Sequence, residues 1–184
     1  MTRAVTLPPA PPAAVRLVGL PPVVGAGTVV LVLGSFPGVA SLRAQQYYGH
    51  PQNHFWKILA AIWQLPLTDM PYPERIDHLQ QRGLGLWDVY AACEREGSLD
   101  SAIRDEQVND FAGFFASQPN LAAIGFNGGK AWQSFKRYVL PLQIVPAGIK
   151  LITLPSTSPA HAALGFNEKL QQWQQLKPFI LNVN

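Results

Sequence analysis

Val29-Val30-Leu31-Val32-Leu33 is a continuous apolar run that ends abruptly in Gly34-Ser35-Phe36-Pro37-Gly38. An uninterrupted run of this length predicts a strand over 28–33, buried on both faces of a sheet. A long polar and aromatic loop follows and closes on His50-Pro51-Gln52-Asn53. Phe55, Ile58, Leu59 and Ile62 then recur at i, i+3, i+4 and i+7, which predicts a helix over about 51–63. Pro51 suits the first helical position, with His50 as the cap and Asn53 in the first turn. Pro66, Pro71 and Pro73 mark a loop, and 74–81 reads as a short helix. A second strand is expected over 83–90, then a charged loop over 94–100. Val108, Phe111, Ala112 and Phe115 predict a helix over 105–117. A third strand is expected at 121–125. Asn127-Gly128-Gly129 turns the chain into a helix with Trp132, Phe135 and Val139 on one side. The fourth strand, 151–154, ends in Pro155-Ser156-Thr157-Ser158-Pro159. Asn167 is placed to cap a last helix bearing Leu170, Trp173 and Leu176, which Pro178 should end.

Strands alternating with helices predict an α/β fold, a parallel sheet covered on both faces. With right-handed crossovers, the loops 34–53, 126–129 and 155–161 open on one edge of that sheet, the carboxyl edge where ligands bind. No internal repeat is visible. At 184 residues, 48% of them apolar, the chain fits one globular domain. Pro8, Pro9, Pro11, Pro12, Pro21 and Pro22 mark residues 1–24 as an extended arm, leaving 25–184 as the domain. The first 22 residues lack a hydrophobic core with a cleavage site, and no run is long enough to span a bilayer. Cys93 is the single cysteine, which excludes an internal disulfide and any four-cysteine zinc or iron–sulfur site. A cytoplasmic location is expected. A net charge of +3 permits a polyanionic partner without requiring one.

The three loops carry the candidate chemistry. Gly34 and Gly38 either bring backbone amides close to a ligand or form a tight turn. Phe36, like Tyr47 and Tyr48, either stacks on a planar ligand or packs into the core. Asn53 is a helix cap or a group facing the loop; His50 and His54 are caps, surface residues or acid–base groups. Lys57 lies one turn beyond Asn53. Asn127 either reads a base edge with its donor and acceptor or serves its Asn-Gly turn. Ser156, Thr157 and Ser158 offer hydroxyls to phosphates or to their own loop. There is no GxSxG elbow, no GxGxxG and no GxxxxGK[ST], so a serine hydrolase, a Rossmann dinucleotide site and a P-loop have no support.

Taken in order, LGSFPG, YYGHPQNHFW, GLWDVYAACEREGSLDSAI, IGFNGGKAW and LPSTSPAHA resemble the hypoxanthine-DNA glycosylase (DNA-deoxyinosine glycosylase) branch of the uracil-DNA glycosylase superfamily. The resemblance runs over roughly residues 29–165. It implies a three-layer α/β/α fold with a central four-stranded parallel sheet, and hydrolytic removal of deaminated bases, chiefly hypoxanthine, from DNA by base flipping. It places the catalytic amide at Asn53 and the base pocket at Gly34, Ser35, Phe36 and Asn127. The wedge and phosphate loop falls on Pro155, Ser156, Thr157, Ser158 and Pro159, with Tyr48, His50, His54 and His161 as secondary candidates. Phe36 stands where many members of the superfamily carry a water-activating acid or amide. Leu154 stands where others carry a histidine, and His161 where relatives show asparagine. The resemblance implies no metal or organic cofactor, DNA as the partner and a monomer. The other readings are a uracil-specific or broad deaminated-base enzyme, and a nucleotide-binding α/β module without catalysis.

Overall fold

The computed structural model describes residues 16–180. Its centre is a four-stranded sheet in the order β3-β2-β6-β7, every neighbour parallel: β2 is Val30–Gly34, β3 Leu84–Asp88, β6 Ala123–Asn127 and β7 Lys150–Leu154. Helices cover both faces, giving the expected three-layer α/β/α architecture. Alternation along β2 divides the core. Val30 and Val32 face one layer with Phe55, Ile58, Leu59 and Trp173, while Leu31 and Leu33 face the other with Phe111, Phe126 and Phe135. All five residues of β2 are buried, the pattern of a strand covered on both sides.

The first layer holds α2 (Phe55–Trp63), α3 (Tyr72–Gln81) and α6 (Phe166–Trp173), and the second α4 (Phe111–Ser117) and α5 (Gly129–Tyr138). A short helix, α1 (Val39–Ala44), lies in the loop after β2. The helix 51–63 is shorter than expected. The amide of His54 donates to the Thr157 carbonyl (3.0 Å) and that of Phe55 to the Asn53 side chain (3.0 Å), so the ladder starts only at Phe55. His50 therefore does not cap α2. Asn167 likewise sits inside the first turn of α6. The residue before that helix is Gly165, whose amide donates to Glu168 Oε2 (2.8 Å).

A second sheet departs from expectation. β1 (Arg16–Val18), β4 (Tyr90–Glu94) and β5 (Arg104–Val108) form an antiparallel sheet in the order β1-β4-β5. The expected strand 83–90 in fact ends at Asp88, and the chain passes through Val89 into β4. Residues 105–108, expected to begin a helix, belong to the strand 104–108, because Val108 pairs with Tyr90 while still packing against the cluster of Phe111 and Phe115. Residues 1–15 of the expected arm lie outside the described residues, but 16–24 belong to the fold. Leu17 pairs with Cys93, Leu20 is buried, and Val23 bridges Leu86.

Candidate active site

Because the four central strands are parallel, their carboxyl ends share one edge. A cleft of about 630 Å³ opens there. It is lined by Gly34, Ser35 and Phe36 after β2, by Asp88 ending β3, by Asn127 ending β6, and by the loop 156–161 after β7. Tyr48, His50 and Asn53 close one side, and Ser98 to Ser101 stand at the mouth. The expected convergence of loops is therefore real, with β3 as a fourth contributor.

Asn53 lies in the cleft wall with its backbone amide on the His50 carbonyl (2.9 Å). Its Oδ1 accepts from the Phe55 amide, the first of α2, so the side chain satisfies a free amide at the helix start, and its NH2 group has no protein partner among the described residues. Capping and facing the loop are thus not alternatives here. Phe36 packs into the core and also borders the cleft. It is 6% exposed, packs with the second core layer and carries the Arg95 guanidinium 5.0 Å from its ring centre, yet it lines the cleft. Tyr48 stacks on Phe55 at 3.9 Å from a left-handed backbone (φ 55°), a conformation uncommon for an aromatic residue. Its hydroxyl is buried without a partner of good geometry, and burial followed by the Asp88 charge pushes its pKa upward.

Asn127 is bonded through both its nitrogen and its oxygen, which leaves one N–H of its amide unspent at the cleft. Its Nδ2 donates to Thr157 Oγ1 (2.9 Å) and its Oδ1 accepts from the Thr157 amide (2.9 Å), so the side chain staples the loop after β7 to the end of β6. Gly128 completes the staple with φ at +99°. A Cβ there would stand 2.9 Å from Ser156 Cβ, so both conformation and space call for glycine. Thr157 is fully buried and its hydroxyl is taken, which removes it from the expected phosphate donors. Ser156 Oγ accepts from the Ser158 amide (3.2 Å) and Ser158 Oγ from the Ala160 amide (3.3 Å), each bond within the loop itself. Pro155 accepts from the Trp173 indole (3.0 Å), and Pro159 lines the cleft.

His54 and Lys57 are not in this cleft. They line a neighbouring hollow of about 380 Å³ with Lys169 and His161, and His161 reaches both spaces. His54 Nδ1 is buried without a partner; burial, then Lys169 and Lys57, lower its pKa. His50 stays at the cleft, where its Nδ1 accepts from the Gln52 amide (3.2 Å).

The residues that motif reading missed are Asp88, Arg95 and Asp100. Asp88 is 5% exposed, and a Cβ on Gly34 would come within 2.3 Å of its Oδ1. Only glycine at 34 lets that carboxyl lie across the end of β2. Asp88 Oδ2 is buried without a partner, and burial first, Asp100 second, raise its pKa to about 8 against the pull of Arg95. Arg95 donates to the Pro37 carbonyl (2.5 Å), while its Nε and Nη1 are buried and unpartnered. Asp100 accepts from the Ser35 hydroxyl. The available signal was positional. Asp88 ends a strand on the ligand edge, but the strand was expected to continue to Tyr90. Among the described residues, no group of three or more His, Cys, Asp or Glu is placed to hold a metal ion, and no helix is long and apolar enough to cross a membrane.

With that fold and cleft in place, comparison gives the class. The profile of the Uracil DNA glycosylase superfamily matches residues 21–177, and the chain belongs to that superfamily. Within it, the chain is 40% identical over 156 residues to a protein of Methanosarcina acetivorans named Hypoxanthine DNA glycosylase, covering 85% of this chain and 94% of that one. A protein of the same name from Methanosarcina barkeri is 44% identical over 113 residues, 61% of this chain and 72% of that one. A solution NMR structure of a candidate uracil DNA glycosylase from Methanosarcina acetivorans superposes with a TM-score of 0.73 at 36% identity, over 89% of this chain and 99% of that one.

Proposed function

We propose that this protein is a monofunctional DNA glycosylase that hydrolyses the N-glycosidic bond of deaminated bases, chiefly hypoxanthine. The observation that carries the proposal is the strand-edge cleft with the Asn53 amide in its wall, in a chain similar along most of its length to proteins named for that activity. The target bond of a base stacked in a duplex is out of reach of an enclosed cleft, so the nucleotide is extruded. The loop 155–159 presses on the backbone, and the flipped base lies against Phe36. Bond cleavage builds positive charge on the sugar and negative charge on the departing base. Asn53 holds the attacking water beneath the sugar. An amide is not a base, so its contribution is position rather than deprotonation. The reaction leaves an intact abasic site and needs no metal or cofactor. The enzyme works as a monomer, in the cytoplasm.

The test uses duplexes bearing hypoxanthine, uracil or xanthine, with EDTA present, scored for free base. Hypoxanthine release is expected to be fastest. Release of uracil alone would assign the uracil-specific reading, and release of nothing would leave a binding module.

A further inference from the structure

The floor of the cleft holds a group that the water-positioning mechanism does not use. Asp88 is the last residue of β3, paired in register with Gly34, and its carboxyl lies across that glycine where the base pocket begins. One of its oxygens is buried and bonded to nothing. No cation forms an ion pair with it within 4.0 Å among the described residues, and Arg95 offsets its charge only from farther away. The charged and titratable groups around it are Asp100 and Arg95 from the segment after β4, and Tyr47 and Tyr48 from the loop after β2. A carboxylate kept from water without a partner takes up a proton. Asn127, the side chain expected to read the base, is committed to Thr157. Of the two cleft side chains with a buried polar atom left unbonded, the Tyr48 hydroxyl and the Asp88 carboxyl, Asp88 is the carboxylic acid.

We propose that Asp88, in its protonated form, pairs with the –NH–C(=O)– edge of the flipped base and passes its proton to that base as the glycosidic bond breaks. The proposal rests on the glycosylase reading given above. A neutral carboxyl has one O–H to donate and one oxygen to accept. The lactam edge, common to hypoxanthine, xanthine and uracil, offers one oxygen to accept and one N–H to donate. Once the carboxyl turns its buried oxygen toward the base, two hydrogen bonds close a planar ring. In the reaction, the bonding pair of the N–C1′ bond leaves with the base nitrogen and spreads to the ring oxygen. The Asp88 proton moves onto the base there. Water adds to C1′ and releases a proton to solvent, and solvent reprotonates Asp88. The net change is addition of water across the N–C1′ bond, with no other reactant. Charge that would grow on the leaving base is thus neutralised in a site closed to water, where such charge is most costly.

The test compares wild type with Asp88→Asn, a variant of equal shape that can still pair but has no acidic proton, in single-turnover release of hypoxanthine across pH 5.5–9.5. Wild-type rate is expected to fall as pH rises through about 8, where Asp88 ionises. Asp88→Asn should be at least tenfold slower at pH 6.5 and should lack that fall. The ring N–H of the base itself ionises in alkali in both proteins, so the difference between the two profiles is what is read. On the unmodified protein, the carbon-13 carboxyl resonance of Asp88 should titrate at about 8. Equal rates and parallel profiles, or an Asp88 resonance titrating below pH 6, would overturn the acid role while leaving the glycosylase reading intact. Failure of wild type to release any deaminated base would overturn both.

Discussion

At the scale of single residues, one side chain can hold two jobs, and Asn53 is the case. Its Oδ1 satisfies the first amide of α2 while the residue lines the cleft. Asn53→Ala should therefore cost about 0.5–2 kcal/mol of stability through the lost cap. It should also lose at least about a hundredfold in single-turnover base release, roughly 2.7 kcal/mol of barrier. Asn53→Ser separates the two effects, because serine caps but is too short to hold the same water. It is expected to stay slow at a temperature where its circular dichroism matches wild type. Wild-type speed in that variant would take Asn53 out of the mechanism and turn attention to His50. The sequence pointed to Asn53 as a cleft residue because its motif is contiguous. It misdirected the reading of Asn127, because the partner that occupies that amide, Thr157, lies thirty positions away along the chain. It concealed Asp88 because nothing local says where a buried strand stops. Val89 and Tyr90 are as apolar as the strand before them, and the boundary is made by their hydrogen bonds to the Gly34 and Ser35 carbonyls.

At the scale of elements, the central strands and the amphipathic helices were legible, and the second sheet was not. β2, β6 and α5 carry their own periodicity, so burial of one face decides them. β5 reads Arg-Asp-Glu-Gln-Val and is largely exposed; its pairing with β4 is set by the neighbouring strand rather than by its own pattern. The same holds for β1, whose three residues alternate exposed and half-buried. A stability consequence follows. A chain lacking residues 1–22 loses β1 and the buried Leu20, and it uncovers Cys93, which pairs with Leu17 and is fully buried. Such a truncation should lose at least about 2 kcal/mol in a denaturant titration, the scale of one buried leucine side chain. Its Cys93 should react with a thiol reagent under conditions where the full chain does not. Unchanged stability and a protected thiol would mean that β1 contributes nothing to holding the second sheet.

At the scale of the whole molecule, alternation of strands and helices was enough to place the site on one edge of a parallel sheet. The motifs narrowed its chemistry further than the pattern did. What neither supplied was which groups remain free once the loops have bonded to one another. Asn127 bonds twice to Thr157, while Ser156 and Ser158 each accept an amide within their own loop and keep a hydroxyl proton to donate. The net charge of +3 and the lysines beside the cleft leave a modest electrostatic hold on a polyanion. Binding to an inosine-containing duplex should weaken as salt rises, with a log–log slope corresponding to a few phosphates, roughly −0.9 per contact. A flat response in filter binding from 50 to 200 mM salt would argue against DNA as the ligand.

Thr157 ties this edge of the molecule together. Its carbonyl takes the His54 amide, its hydroxyl takes the Asn127 side chain, and its own amide returns to that same side chain. One threonine thus knots the start of α2, the end of β6 and the loop after β7. None of the three can swing without breaking bonds to the other two. This edge is therefore held as one piece. On the proposed reading, the deformation of the encounter is expected to fall on the nucleic acid, which would favour a lesion that softens the helix locally before its base is read.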